Sequence, residues 1–463
     1  MRRVFREAGI LSIENDPNTP QTAEANPADV QAAEAGEELA VGVLEMTESE
    51  VEGQDRVDQI EEGGEIVEAL ESLAVMAHDA VRGQGFSRET AQVFGNYFEH
   101  LRTRARDTSP SKMPSLESFG ATTSRIRGTN LSLEEVGDML KRTWKAIVEK
   151  VKAAFKWVRD HFLKVFGNAE RLLKRAEALE TKIENLKGKP EQGAKVENEA
   201  LVKKLYVGQE VKVDASANLN TVVSEFLTHA FGLTGKLETA IEEGLKSATG
   251  GSTFVPKDIG LPTTGFSDAT VADSYKEIAQ NNNTQVAGSA ELPGGQVIVA
   301  IAPKAGTQGA EALKALASTR ALIDTAKGSK APSKSELATL DRAQMTKICN
   351  DIKALAQSLV QSRKSVDDVN KKRESLEKQL DSFAREFEKA TDALKPGGTA
   401  QNPVGNAVTA DDQKKNASAA KSLAMKLPTI IDYGVGSVTA YAINTGSAYL
   451  DWVGHSIRNF KED

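Results

Sequence analysis

The 463-residue sequence holds one cysteine, Cys349. A single thiol closes no internal disulfide, so oxidatively stapled folds are excluded, and a cysteine set in a helical apolar pattern reads as a packed thiol. Histidine is almost as scarce. His78, His100, His161, His229 and His455 are far apart, and none has a second ligand at metal spacing. His161, on a charged helix, reads as a surface or packing residue. Aromatic residues make up only 5% of the chain, so its cores should be aliphatic and alanine-rich. No run of 18 apolar residues exists, which excludes a membrane-spanning helix, and no apolar stretch follows Arg2, Arg3 and Arg6 as a secretory signal would require. These absences describe a soluble protein of a reducing compartment.

Enzyme motifs are missing too. Gly232-Leu233-Thr234-Gly235-Lys236 suggests a phosphate loop, but Ala230 stands where the first glycine is required and Leu237 where the metal-binding hydroxyl should be. Gly434 and Gly436 lack the third glycine of a dinucleotide turn, and no carboxylate pair is singled out. No catalytic residue, metal or cofactor is expected.

What the chain does have is a division of charge. Residues 1–117 hold 10 Lys+Arg and 24 Asp+Glu, or −14; the remaining 48 and 42 leave +6 for residues 118–463. Phosphate repels the first sign and attracts the second. The boundary falls in Lys112-Met113-Pro114-Ser115-Leu116-Glu117-Ser118-Phe119-Gly120.

The fold expected is mainly α, with long helices, a coiled-coil-like hairpin and a small α+β middle section. Residues 1–117 form an acidic segment. Its 11–68 portion is too polar and too rich in Glu, Ala and Pro to offset chain entropy, so disorder or marginal helix is expected there. A helical hairpin is expected near 66–102, from the spacing of Ile66, Leu70, Leu73 and Ala77 and then of Val93, Tyr97, Phe98 and Leu101. Residues 118–190 form a basic amphipathic region: a linker after Gly120, a capping box at Ser132–Glu135, a helix to an interruption at Gly167-Asn168, and a second helix from Glu170 to Leu186. Residues 191–308 form the α+β unit, with strand-like alternation at 205–213, helical pieces at 219–231 and 237–247, and the best strand at 296–302 after Pro293-Gly294-Gly295. Residues 309–396 read as helical. Ile348, Ile352, Leu355, Leu359, Val366, Val369, Leu376, Leu380, Phe383 and Phe387 follow a coiled-coil spacing with Ser362 and Arg373 in the seam, which suits a hairpin within the chain or a coil between chains. Residues 397–463 are a linker over 399–406 and a last helix from about Asp411.

On the 140–166 helix, Lys141, Lys145, Lys152, Lys156 and Arg159 lie off the apolar stripe of Trp144, Ile147, Val151, Phe155 and Phe162. Such a face is a solvated helix surface, a non-specific nucleic-acid surface, or, with Trp144, Trp157 and the phenylalanines turned outward, a membrane-surface helix.

Pro114-Ser115-Leu116-Glu117-Ser118-Phe119-Gly120, the Ser132-Leu133-Glu134 stretch leading to Trp144-Lys145-Ala146-Ile147, and Ala69-Leu70-Glu71-Ser72-Leu73-Ala74 together resemble the internal head proteins of giant phages of the phiKZ type. The resemblance implies a structural, non-enzymatic protein, made as a precursor in the bacterial host cytoplasm and housed in the phage head. A prohead protease would cut it after a small residue, any residue, then glutamate. Its partners would be that protease, the other inner head and capsid proteins and, non-specifically, the genomic DNA, with no membrane partner. Alternatives are a protein ejected with the genome to act on the host, or a membrane-active virion protein. The implied cleavage site is Ser115-Leu116-Glu117 followed by Ser118, and the cut would exchange an acidic protein for a basic one. The triplet Ser/Ala/Gly-x-Glu ends at sixteen glutamates, eight of them in the first 117 residues; a leader meant to be cut repeatedly would show this enrichment, and a Glu/Ala-rich composition accounts for part of it.

Overall fold

A computed structural model describes residues 27–191, 193–250, 253–333, 335–392 and 410–461. Three long helices carry the architecture: α1 (Pro27–Arg82), α3 (Thr122–Glu184) and, late in the chain, α8 (Arg342–Asp392). α1 runs antiparallel to α3, from Asp29 opposite Lys182, through Gly42 opposite Asn168, to Gly63 opposite Ile147. α8 lies along another side of α3, also antiparallel, with Lys353 paired to Glu180 and Asp381 to Lys152.

Of the disorder or marginal helix expected over 11–68, residues 27–68 take the helix and the disorder is corrected there; residues 11–26 lie outside the described residues. The seam of α1 explains why. Leu39, Gly42, Met46, Ser49, Gly53, Ile60, Gly63, Val67, Leu70, Ala74 and Ala77 are buried and recur every three or four residues, with one step of seven from Gly53 to Ile60. Half of the early positions are glycine or serine, so the helix gains stability from close approach as well as from buried Leu39, Met46 and Ile60. The expected hairpin is present: α2 (Arg88–Ala105) folds back after Gly85, whose φ of +72° only glycine adopts freely. It buries Phe94, Phe98 and Leu101 but leaves Val93 and Tyr97 exposed.

α3 corrects two further expectations. It begins at Thr122, inside the expected linker, and Ser132 is not its cap; buried mid-helix, its hydroxyl donates to Gly128 O at 3.1 Å. What recruits 122–131 into helix is tertiary: Gly128 lets the Phe119 ring approach, and Thr129 Oγ1 accepts the Phe86 amide at 2.8 Å. Gly167-Asn168 does not interrupt the helix either, because Asn168 is used sideways, donating from Nδ2 to Gly42 O at 2.9 Å.

After two-residue β1 (Lys189–Pro190) and β2 (Lys195–Glu197) come α4 (Glu199–Leu205) and the tight hairpin β3–β4 (Tyr206–Val207, Glu210–Val211). The two expected helical pieces are one helix, α5 (Ala215–Gly250). β5 (Phe266–Ser267), α6 (Asp273–Asn281), β6 (Thr284–Ser289), β7 (Gln296–Pro303), α7 (Gly309–Ala317) and β8 (Arg320–Thr325) build an antiparallel sheet in the order β5-β6-β7-β8. The predicted strand is β7, its centre. Ile298, Ala300 and Ala302 face the helical core, while Val297, Val299 and Ile301 face a smaller cluster with Val271 and Ala326. Residues 309–341 are thus not all helical: β8 and β9 (Glu336–Ala338, paired with β2) intervene before α8. The coiled-coil-like stripe of α8 is satisfied within the chain by α3 and α5, with Trp144 set 4.9 Å from Phe387 between ring centroids; the side chains of Val366 and Val369 lie outside the described residues, as does the expected linker 399–406. The last helical region is two helices, α9 (Ala410–Asp432) and α10 (Val435–Arg458), broken at Tyr433-Gly434, where both residues have positive φ and a Cβ on Gly434 would lie 2.3 Å from Ala321 O. β10 (Phe460–Lys461) pairs with β1.

Candidate functional site

The connection between α2 and α3 carries the predicted cleavage residues. Its first half is pinned: Asp107 accepts the Ser109 amide at 2.9 Å and pairs with Arg142 of α3 at 2.9 Å. The Ser109 amide and the Arg142 guanidinium stabilise the Asp107 carboxylate, although burial alone would raise its pKa; the balance holds it below the usual range. Beyond Pro114, Ser115 is extended (φ −65°, ψ 153°), and Leu116–Phe119 make a single 3₁₀ turn closed by the Ser118 amide on Ser115 O at 2.9 Å. Ser115 and Glu117 are exposed, Leu116 and Ser118 half-buried, and Phe119 buried at 3% exposure. A cleft that needs residues 115–119 extended must open this turn and unseat Phe119.

The other fifteen triplets differ from Glu117 in setting. Twelve end on glutamates in α-helices, six of them (Glu34, Glu37, Glu38, Glu65, Glu71 and Glu89) in α1 and α2. Glu210 lies in the β3–β4 hairpin. Glu291 follows fully buried Ser289 and accepts the Gly208 amide at 3.0 Å and the Ser329 hydroxyl at 2.8 Å; Glu14 lies outside the described residues. Helices and tight hairpins do not enter a protease cleft in extended form, and an exposed connection does.

The predicted basic face is also on one side of α3. Lys145, Lys156 and Arg159 are exposed and Lys141 half-buried. Lys152 is occupied, at 2.6 Å from Asp381 and 3.2 Å from Glu149, and its ammonium is held above the usual lysine range by those partners. The aromatic residues that a membrane-surface helix would turn outward point inward: Trp144, Phe155, Phe162 and Phe166 are fully buried, and half-buried Trp157 stacks on His161 with ring centroids 5.1 Å apart. Among the described residues no helix is long and apolar enough to cross a membrane.

Sequence reasoning missed a cleft of about 480 Å³ enclosed by α1, α3, the sheet and the α9–α10 junction. Glu50, Gly53 and Glu61 lie on the α1 wall, and Trp157, His161, Arg320, Lys426 and Asp432 are among the residues that line the other sides. Burial pushes Glu50 up to about 7, helped by the neighbouring Asp432 charge. Burial raises Asp432 to about 6, although the Gly434 and Gly436 amides, each 3.1 Å away, favour its charged form. His161 is buried, not a surface residue. Its Nδ1 is 3.1 Å from Ser49 Oγ, and burial takes it down to about 4. Asp432 turns its oxygens to the two glycine amides that start α10, so Ser49, His161 and Asp432 form a packing junction and not a relay. Cys349 is buried as read from sequence, its thiol pushed up to about 12 by burial. Gly232–Lys236 lie inside α5, where the helix uses the amides a phosphate would need. Among the described residues no group of three His, Cys, Asp or Glu side chains is placed to hold a metal ion.

The family model for phiKZ-like phage internal head proteins matches residues 32–455, from within α1 to within α10. No curated protein and no solved structure matches the chain.

Proposed function

The chain belongs to the phiKZ-like phage internal head protein family, and from that premise we propose that this head protein is made as a precursor in the bacterial cytoplasm, cut between Glu117 and Ser118 by the phage prohead protease, and packed in the head interior with the genome and the other inner head proteins. The observation that carries the cut is the setting of Glu117: among the described residues it is the triplet glutamate that lies exposed in a connection between packed helices. Ser115 fills the small-residue position, Leu116 the variable one, and Glu117 offers a carboxylate to a basic primary pocket. Exposed Lys145, Lys156 and Arg159 supply a sequence-independent contact to phosphate, while Lys152 holds α8 in place.

The test is made on the precursor co-expressed with the protease. Glu117→Gln keeps the size and removes the charge, so the chain should stay uncut; Ser115→Trp should block by sterics; Leu116→Val should be cut at the normal rate. Normal cutting of Glu117→Gln would overturn the assignment.

A further inference from the structure

A leader that is to be discarded needs a separable interface, and this one does not have it. The glycines of α1 set its backbone directly against the body: a Cβ at Gly42 would lie 1.7 Å from Asn168 Oδ1, one at Gly53 2.0 Å from Trp157, and one at Gly64 2.6 Å from Met425 Sδ of α9. Around these approaches Met46, Ile60, Val67 and Leu70 are buried in the same core as α3, α9 and α10.

Directional contacts lock the register. Asn168 donates to Gly42 O at 2.9 Å, Trp157 Nε1 to Ser49 O at 2.9 Å, and the Phe86 amide to Thr129 at 2.8 Å. Lys421 and Lys426 of α9 pair with Glu71 and Glu61. Buried Lys421 has its charge answered by the acidic segment. None of these contacts involves residues 115–118. Breaking the bond between Glu117 and Ser118 removes a tether and the one-turn hydrogen bond from the Ser118 amide to Ser115 O, and none of the contacts that seat α1 and α2.

Two further observations agree. The six internal triplets of α1 and α2 are in packed helix, so the hairpin resists being shredded while it stays docked. The family match begins at residue 32, inside α1, so the acidic segment is part of the family fold.

We infer that the cut after Glu117 nicks the protein without releasing its leader: the segment 27–105 stays seated on α3 and α9 as a separate chain, and the mature protein is a two-chain complex. The inference rests on the proposed cleavage. It also changes the charge argument, because residues 27–105 hold 5 Lys+Arg and 18 Asp+Glu and so keep −13 on the particle after the cut. Nicking alone then does not make a basic protein.

The experiment places the recognition sequence of an unrelated site-specific protease in the exposed stretch between Asp107 and Pro114 of the full chain, nicks it to completion, and follows both fragments by size-exclusion chromatography and native mass spectrometry at physiological salt. Both fragments should elute together at the mass of the uncut chain and part only in denaturant. Elution of the acidic fragment alone overturns the inference. Gly53→Leu, which drives a side chain into Trp157, should shift the nicked protein to separate fragments while the uncut variant, held by its tether, elutes as the wild type; Gly42→Ala serves if that variant does not fold. In particles, Ser118 as the first residue together with stoichiometric peptides from 27–105 supports the inference. Ser118 as the first residue without those peptides defeats it and leaves the cleavage standing. An intact Met113–Arg125 peptide defeats the cleavage, and the engineered nick then still decides whether the two parts hold together.

Discussion

Phe119 should govern how fast the precursor is cut. It sits two residues beyond Glu117, buried at 3% exposure, with its ring so close to Gly128 that a Cβ there would be 2.8 Å away. Drawing residues 115–119 into a cleft requires the 3₁₀ turn to open and the ring to leave its site. Returning a phenylalanine side chain to water costs about 1.5–3 kcal/mol. If opening is fast compared with cleavage, the folded precursor is cut roughly 10- to 150-fold more slowly than a free peptide of the same sequence, since about 1.4 kcal/mol is a factor of ten. Phe119→Ala removes most of that term and should speed cleavage by about tenfold or more. The assay is the initial rate of cutting at Glu117 by a glutamate-specific endoprotease, read by mass spectrometry, for wild type, Phe119→Ala and a synthetic 110–125 peptide. The peptide should be cut fastest, wild type slowest, and the variant between. Equal rates for wild type and Phe119→Ala, both below the peptide, would refute the argument, because the barrier would then lie elsewhere in the connection.

Three other expectations concern charge. Glu50 has its pKa raised in the folded protein, so it favours the fold fully below about 4.5 and loses that contribution as pH rises through about 7. Glu50→Gln should therefore stabilise the protein above pH 7, by on the order of 1–2 kcal/mol after discounting for solvent screening, and leave the urea midpoint at pH 4.5 nearly unchanged. His161 has the opposite sign: its folded pKa is depressed to about 4, so its contribution is present above about 6.5 and is lost as pH falls toward 4, and His161→Asn should flatten the acid limb of a urea-midpoint series. Lys145→Glu, Lys156→Glu and Arg159→Glu together should weaken non-specific duplex binding and lower the salt slope by up to about three times 0.9, whereas Lys152→Glu should act mainly on thermal stability by breaking the pair with Asp381. Filter binding across a salt series separates the two.

The mainly helical fold, the central strand β7, the α1–α2 hairpin and the buried Cys349 were legible, since each rests on a period of large apolar residues or on a turn signal. The order of residues 27–68 was not. Gly42, Ser49, Gly53 and Gly63 sit at core positions of α1, and small residues carry no hydrophobic signal although they permit the closest packing. The start of α3 was misread for a related reason: Ser132 and Glu135 have the chemistry of a cap, but Thr129 and Gly128 find tertiary partners that extend the helix backward by ten residues, to Thr122. Asn168, a helix breaker by its neighbours, is consumed by a carbonyl of another helix 126 positions away. The exposure of Glu117 agrees with its place after Pro114 in a stretch without helical periodicity, but nothing in the sequence signals the burial of Phe119, because its partner, Gly128, carries no apolar side chain. The cleft shared by Glu50, His161 and Asp432 joins residues that only the tertiary fold brings together.

The proposed cut after Glu117 leaves a direct trace in the particle. The direct measurement is tryptic mass spectrometry, with N-terminal labelling, of the protein taken from purified phage heads. A cut protein gives a labelled terminus at Ser118 and no peptide running from Met113 to Arg125; that intact peptide as the major species, with no Ser118 terminus, would rule the cut out.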